Sequence, residues 1–136
     1  MKFRTSPDGS TLVVALILGT KLYTAWVGDS RLVLCQKSQM RQILSTGITT
    51  EHRPNLEAEA QRVKEAGGLV LDFGGVYRVA HPGYDEKMRE MKRQQALGLG
   101  FSGKEPVALA VSRALGDRDF KAREREIIVI SLCNLY

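Results

Sequence analysis

Residues 9–36 read GSTLVVALILGTKLYTAWVGDSRLVLCQ, and the reading of this stretch decides the fold. Residues 11–18 are a nearly unbroken apolar run, the pattern of a strand covered on both faces. Gly19-Thr20-Lys21 is a turn signal, and residues 22–27 are apolar again, with Tyr23 and Trp26 favouring strand. Gly28-Asp29-Ser30 punctuates the chain before residues 31–36, where Leu32, Val33 and Leu34 follow one another. Apolar runs separated by short Gly/Asp/Ser connections predict hairpins, so the expectation is a three-strand antiparallel meander. Each large side chain here is worth roughly 1.5–3 kcal/mol if fully buried. A sheet with so little polar surface needs a layer against each face, which this chain must supply or borrow.

On the N-terminal side, residues 1–10 are short, polar and turn-rich, with Pro7-Asp8-Gly9 as a turn. On the C-terminal side, residues 41–45 suggest a fourth short strand, and residues 45–54 a connection. A helix is predicted over residues 56–66. Asn55 suits its N-cap, Glu57 and Glu59 its first turn, and Leu56, Ala60 and Val63 one apolar face. Glu59 and Arg62 are expected to pair on its surface, and Gly67-Gly68 to stop it. Residues 69–73 and 76–79 flank Gly74-Gly75 as a second hairpin.

Residues 80–106 then turn polar and charged. They predict a solvated helix around residues 85–93 and a surface excursion suited to selecting a substrate or partner. Residues 107–115 are small and apolar, residues 118–126 are heavily charged, and residues 127–132 form a last strand-like run.

The totals narrow the function classes. A chain of 136 residues is one domain by length, and 43% hydrophobic with 26% charged residues excludes wholesale disorder. The net charge of +5 is spread among acidic residues with no polybasic run, which argues against nucleic acid as a partner. No apolar run approaches the roughly 20 residues of a bilayer span, and no secretory segment is expected. Cys35 and Cys133 are far apart and form no CxxC pair, so they read as reduced thiols of an intracellular protein, cytoplasmic or nuclear. There are only two histidines, His52 and His81, and no zinc-protease motif, phosphate loop or nucleophile elbow. No residue is therefore assigned as catalytic.

Several motifs in order go further. Gly9-Ser10-Thr11 leads into a strand, and Val27-Gly28-Asp29-Ser30-Arg31 follows at the bend. Thr49-x-Glu51-His52-Arg53-Pro54, Glu59, Arg62-Val63 and Gly67-Gly68 come next, then residues 109–117, LAVSRALGD, with Phe120-Lys121. In this order and spacing the chain closely resembles the metal-dependent protein phosphatase family, protein phosphatase 2C, over residues 9–121 apart from the 80–106 excursion. The resemblance implies an α+β fold, a β-sandwich of antiparallel sheets flanked by helices, of which this chain would be the central portion with a charged insertion at 80–106. It implies hydrolysis of phosphoserine and phosphothreonine in phosphoprotein substrates by paired Mn²⁺ or Mg²⁺ ions, which activate a bridging water and clamp phosphoryl oxygens.

The family's DGHGG motif, its phosphate-gripping arginine, and its DGxWD and DN motifs have no counterpart in this sequence. The expectation is a chain that does not bind the metal pair and is inactive alone. Glu51 falls at the position that the resemblance associates with a third, weaker metal, where the family has Asp. Within the motif Gly28, Asp29, Ser30 and Arg31, Asp29 and Ser30 are expected to organise the hairpin through side-chain-to-backbone bonds. Within the motif Ser112, Arg113, Gly116 and Asp117, Arg113 and Asp117 are expected to brace the segment leading to the family's substrate flap, and His52 is expected to be structural. The alternative is a pseudophosphatase, a binding module acting through protein–protein contacts made by the 80–106 excursion. Sheet edges left open predict self-association.

Overall fold

The computed structural model describes residues 8–101, 103, 105–121 and 131–135, the last group as backbone only. Among these residues ten strands form antiparallel sheets, joined by two α-helices and one 3₁₀ turn, so the fold is α+β. Contacts within the chain divide it into two compact units, residues 1–53 with 113–136, and residues 54–112.

In the first unit, β1 (Gly9–Ser10) pairs with β9 (Leu115–Gly116). The apolar run becomes β2 (Leu12–Leu18), paired along its whole length with β3 (Lys21–Val27). The other edge of β3 is taken by β10 (Ser131–Leu135), giving the order β10-β3-β2. The third strand of the expected meander goes elsewhere: β4 (Val33–Lys37) pairs with β5 (Ile43–Gly47) in a separate hairpin. Both edges of β3 are occupied, by β2 and β10, and both backbone groups of Gly28 are taken by His52, so the chain that follows does not close a hairpin onto β3. The expected strand at 41–45 lies two residues later, and most of the predicted strand at 127–132 falls outside the described residues.

Thr24, Trp26 and Val27 of β3 are buried. Register places Leu12, Val14, Leu16 and Leu18 of β2 on one face, with Tyr23 of β3, and these residues are 43%, 44%, 50%, 56% and 37% exposed. The run reads as a strand covered on both faces, yet among the described residues this face lacks most of its cover.

In the second unit, α1 (Glu57–Glu65) is followed by β6 (Leu69–Asp72) and β7 (Tyr77–Ala80), with β8 (Ala108–Leu109) on the far edge of β7. The hairpin predicted around Gly74-Gly75 is present, and the Gly75 amide donates to Asp72 Oδ1 at 2.7 Å. α1 ends at the glycines, where Gly67 and Gly68 amides donate to Lys64 and Val63 carbonyls, both at 2.9 Å. Its start differs from expectation. Leu56 is the N-cap residue, with no side-chain cap, so Asn55 sits one position too early to reach the first free amides. α2 (Tyr84–Ala96) is the solvated helix of the excursion and buries no residue. Tyr84 meets Phe73 edge-on, with ring centroids 6.0 Å apart. Among the described residues no helix is long and apolar enough to cross a membrane.

Candidate functional site

The bend after β3 and the connection after β5 converge on one cluster. Gly28 has φ +94°, and a Cβ there would lie 2.7 Å from Thr11 Cβ, so only glycine fits. Its carbonyl accepts from the His52 amide at 2.9 Å, and its amide donates to His52 Nδ1 at 3.1 Å. An accepting Nδ1 carries no proton, so the neutral ring bears its hydrogen on Nε2. Trp26 Nε1 donates to the Thr50 carbonyl at 2.8 Å, and its indole lies at 12° to the buried imidazole of His52, centroids 6.4 Å apart. Leu32 and Thr49 extend the seam through an amide-to-hydroxyl bond of 3.0 Å. The connection is thus held to the bend by backbone and ring bonds before any charge is counted.

Charge then closes it. Glu51 Oε1 is bonded by Arg31 Nε, and Glu51 Oε2 is paired with Arg53 Nε. Arg53 Nε also stands 3.9 Å from Asp29 Oδ2. The Glu51 side chain is only 10% exposed, against 72% for Arg31 and 53% for Arg53. Ser30 acts through its hydroxyl on that of Thr11, 2.7 Å away. Asp29 and Ser30 therefore reach other side chains, where the sequence suggested bonds to backbone. Glu51 does not fit a divalent cation in this arrangement. Each of its oxygens is committed to a guanidinium, and among the described residues no group of three or more His, Cys, Asp or Glu side chains is placed to hold a metal.

The other expected site residues lie apart from this cluster. Gly116 has φ +77° and packs against Gly9, and Asp117 follows at φ +46°, its amide donating to the Asp8 carbonyl at 3.1 Å. Partial burial raises the Asp117 pKa; Lys121 opposes this and Asp8 reinforces it. Ser112 belongs to the second unit. Its hydroxyl donates to Glu59 Oε2 at 2.6 Å, while Arg62 Nη2 donates to the same oxygen at 2.9 Å and to the Ser112 carbonyl at 2.6 Å. The surface Glu59–Arg62 pair is corrected: Glu59 is buried, 6% exposed, and ties α1 to the segment ahead of Arg113.

Sequence reasoning missed Arg53 and Glu59 as fixing groups. The alternation Glu51-His52-Arg53 was the available signal for the first. The glutamate on the same helical face as Val63, four residues before it, was the signal for the second.

A sequence profile described as Protein phosphatase 2C matches residues 1–132. The chain is 36% identical over 120 residues to Protein phosphatase 2C homolog 3 of Schizosaccharomyces pombe, which covers 88% of this chain and 20% of that protein. It is 41% identical over 66 residues to Protein phosphatase 1E of Homo sapiens, covering 48% of this chain and 8% of that protein. The chain spans about a fifth of the length of the first curated relatives it matches. Among solved structures, a serine-threonine phosphatase 2C from Toxoplasma gondii superposes with TM-score 0.62 at 21% identity, over 82% of this chain and 32% of that one, a likeness of fold. With motifs, fold and profile in agreement, the chain belongs to the protein phosphatase 2C family.

Proposed function

We propose that this chain is scaffold from a metal-dependent protein serine/threonine phosphatase, a hydrolase acting on phosphoproteins with Mn²⁺ or Mg²⁺, and that alone it does not turn over substrate. The observation that carries this is the family match over residues 1–132, in a chain whose described residues gather no metal-holding carboxylate group. Such ions, when bound in a complete domain, would supply water activation and neutralise phosphoryl charge. The chain's own part is positional. His52 and Trp26 fix the connection to the bend in the first unit, and Glu59 with Arg62 fixes Ser112 in the second.

A manganese-dependent assay on a phosphothreonine peptide tests the reading. The chain is expected to release no phosphate above background, and robust turnover would overturn the inactivity. Extending the reading frame tests the parentage, with DGHGG expected upstream and DGxWD downstream. Confirmed stop codons on both sides would instead favour the pseudophosphatase module, for which α2 speaks, since it buries none of its residues.

Self-association is part of the same proposal. The exposed face of β2 is expected to make sedimentation concentration-dependent. A monomeric, cooperative thermal melt would count against it. An intracellular location, cytoplasmic or nuclear, is proposed from thiol usage alone.

A further inference from the structure

We propose that Arg31, Glu51 and Arg53 form a cation-independent clamp, in which two guanidinium groups stand where the family resemblance puts a weakly held metal ion. The inference concerns this chain's own residues and does not depend on catalysis.

The geometry points away from a metal ligand at three levels. First, the carboxylate is already paired. Each Glu51 oxygen is engaged by an arginine Nε, so the lone pair left on each oxygen lies beside a guanidinium. A divalent ion would have to crowd in next to those groups or displace one, giving up a charge-assisted hydrogen bond. Second, the field is wrong. Arg31 and Arg53 bring two positive charges to the one carboxylate, with only Asp29, 3.9 Å from Arg53 Nε, to offset them. An approaching dication meets repulsion that the nearly buried position of Glu51 screens poorly. Third, the donor set is small. Hard cations take six or more oxygens, and with no acidic group of three converging here among the described residues an ion would rest on Glu51 and water, so the two arginines decide whether it is held.

The same geometry gives the clamp a purpose. Arg31 follows the Gly28 bend and Glu51 lies 20 residues on, so the bond between them ties two distant loops. Arg53, two residues beyond Glu51, holds the second oxygen and turns the carboxylate toward Arg31. A metal bridging two loops would provide the same cross-link, but one that depends on the free ion concentration. Paired arginines make it permanent, because guanidinium stays charged at any ordinary pH. Glutamate suits this arrangement, since its longer arm separates the two oxygens from the backbone and lets an arginine reach each one.

The chain contains a single tryptophan, and Trp26 bonds Thr50, the residue before Glu51. A lanthanide bound at Glu51 would therefore be sensitised by that indole, which makes Tb³⁺ a direct probe. The test uses the full chain, with folding of each variant checked by circular dichroism. Wild type is expected to give no saturable tryptophan-sensitised Tb³⁺ signal, and no Mn²⁺ binding by electron paramagnetic resonance, up to millimolar ion. Its melting temperature should not change with EDTA. E51Q, nearly isosteric, should lower that temperature by about 3–8 °C in EDTA. The double variant R31Q/R53Q, altered only at exposed side chains, should gain Tb³⁺ affinity at least tenfold, and adding E51Q should abolish the gain.

The proposal fails if wild type binds Tb³⁺ or Mn²⁺ saturably and E51Q removes that binding. It fails equally if EDTA lowers the wild-type melting temperature while E51Q leaves it unchanged. A folded R31Q/R53Q protein that remains blind to Tb³⁺ also overturns it, because the arginines are then not what keeps the ion out. If the double variant does not fold, the wild-type and E51Q measurements decide by themselves. Phosphate release plays no part in any arm, so failure here and failure of the phosphatase reading are distinguishable.

Discussion

Each of the two units is pinned by one glutamate, and the two are built differently. Glu51 stands in a connection, 10% exposed at its side chain, between two arginines that are themselves mostly in solvent. Glu59 stands inside α1, is buried, and shares a single oxygen between the Ser112 hydroxyl and Arg62, which also grips the Ser112 carbonyl. The first clamp is ionic and open to water. The second is a charge-assisted hydrogen-bond network with a buried carboxylate and partly buried partners. The contrast teaches that a carboxylate cross-links distant segments whether or not it is withdrawn from solvent, but the consequence of losing it scales with how far its partners are withdrawn too.

The largest effect is expected at Glu59. E59A leaves Arg62 and the Ser112 hydroxyl without their acceptor and should cost about 3 kcal/mol, read as a fall in the urea midpoint. A loss as small as that of E51Q would erase the distinction between the clamps. E51Q comes next, at about 1–2 kcal/mol, because its arginines can be rehydrated. Its effect should shrink in 0.5 M NaCl more than that of E59A, since salt screens the mostly exposed Arg31 and Arg53 more than the partly buried Arg62.

S112A removes one donor from the shared oxygen and leaves Arg62 in place, so about 1 kcal/mol is expected in the same urea series. The smallest effect is at Asp117. Burial raises its pKa, so the folded chain holds the proton more tightly than the unfolded one. Ionisation therefore costs stability, a cost that sets in as pH rises through the ordinary carboxylate range and is complete above the raised value. D117N, which keeps the shape and tolerates the left-handed backbone, should raise the melting temperature slightly at pH 7 and have no benefit at pH 3.

Local pattern made much of this fold legible before any coordinates. The β2–β3 hairpin followed from two apolar runs around Gly19, β6–β7 from Gly74-Gly75, and α1 from the spacing of Leu56, Ala60 and Val63. What stayed hidden depends on contacts that no local rule contains. The sequence shows that the chain bends at Gly28, but not that His52 occupies both backbone groups there while β4 pairs with β5. Likewise Glu59 and Arg62, three apart on a helix, suggest an exposed ion pair. The hydrogen bond to Ser112, 53 residues away, accounts for the glutamate being drawn inside. For the candidate site, the motif order identified the family and singled out Gly28, Arg31 and Glu51 in separate motifs, without showing that Arg31 meets Glu51. The number of guanidinium groups on Glu51 appeared only with the coordinates.

The bond from the Gly28 amide to an imidazole nitrogen has a further consequence. Turn amides ordinarily trade their hydrogens with solvent quickly, because water is their partner. This one is buried beneath a ring, beside the Thr11 methyl, with a side-chain nitrogen as its acceptor. In deuterated water it should therefore keep its proton as long as the middle of a strand does, making the bend at Gly28 one of the slowest-breathing points of the first unit.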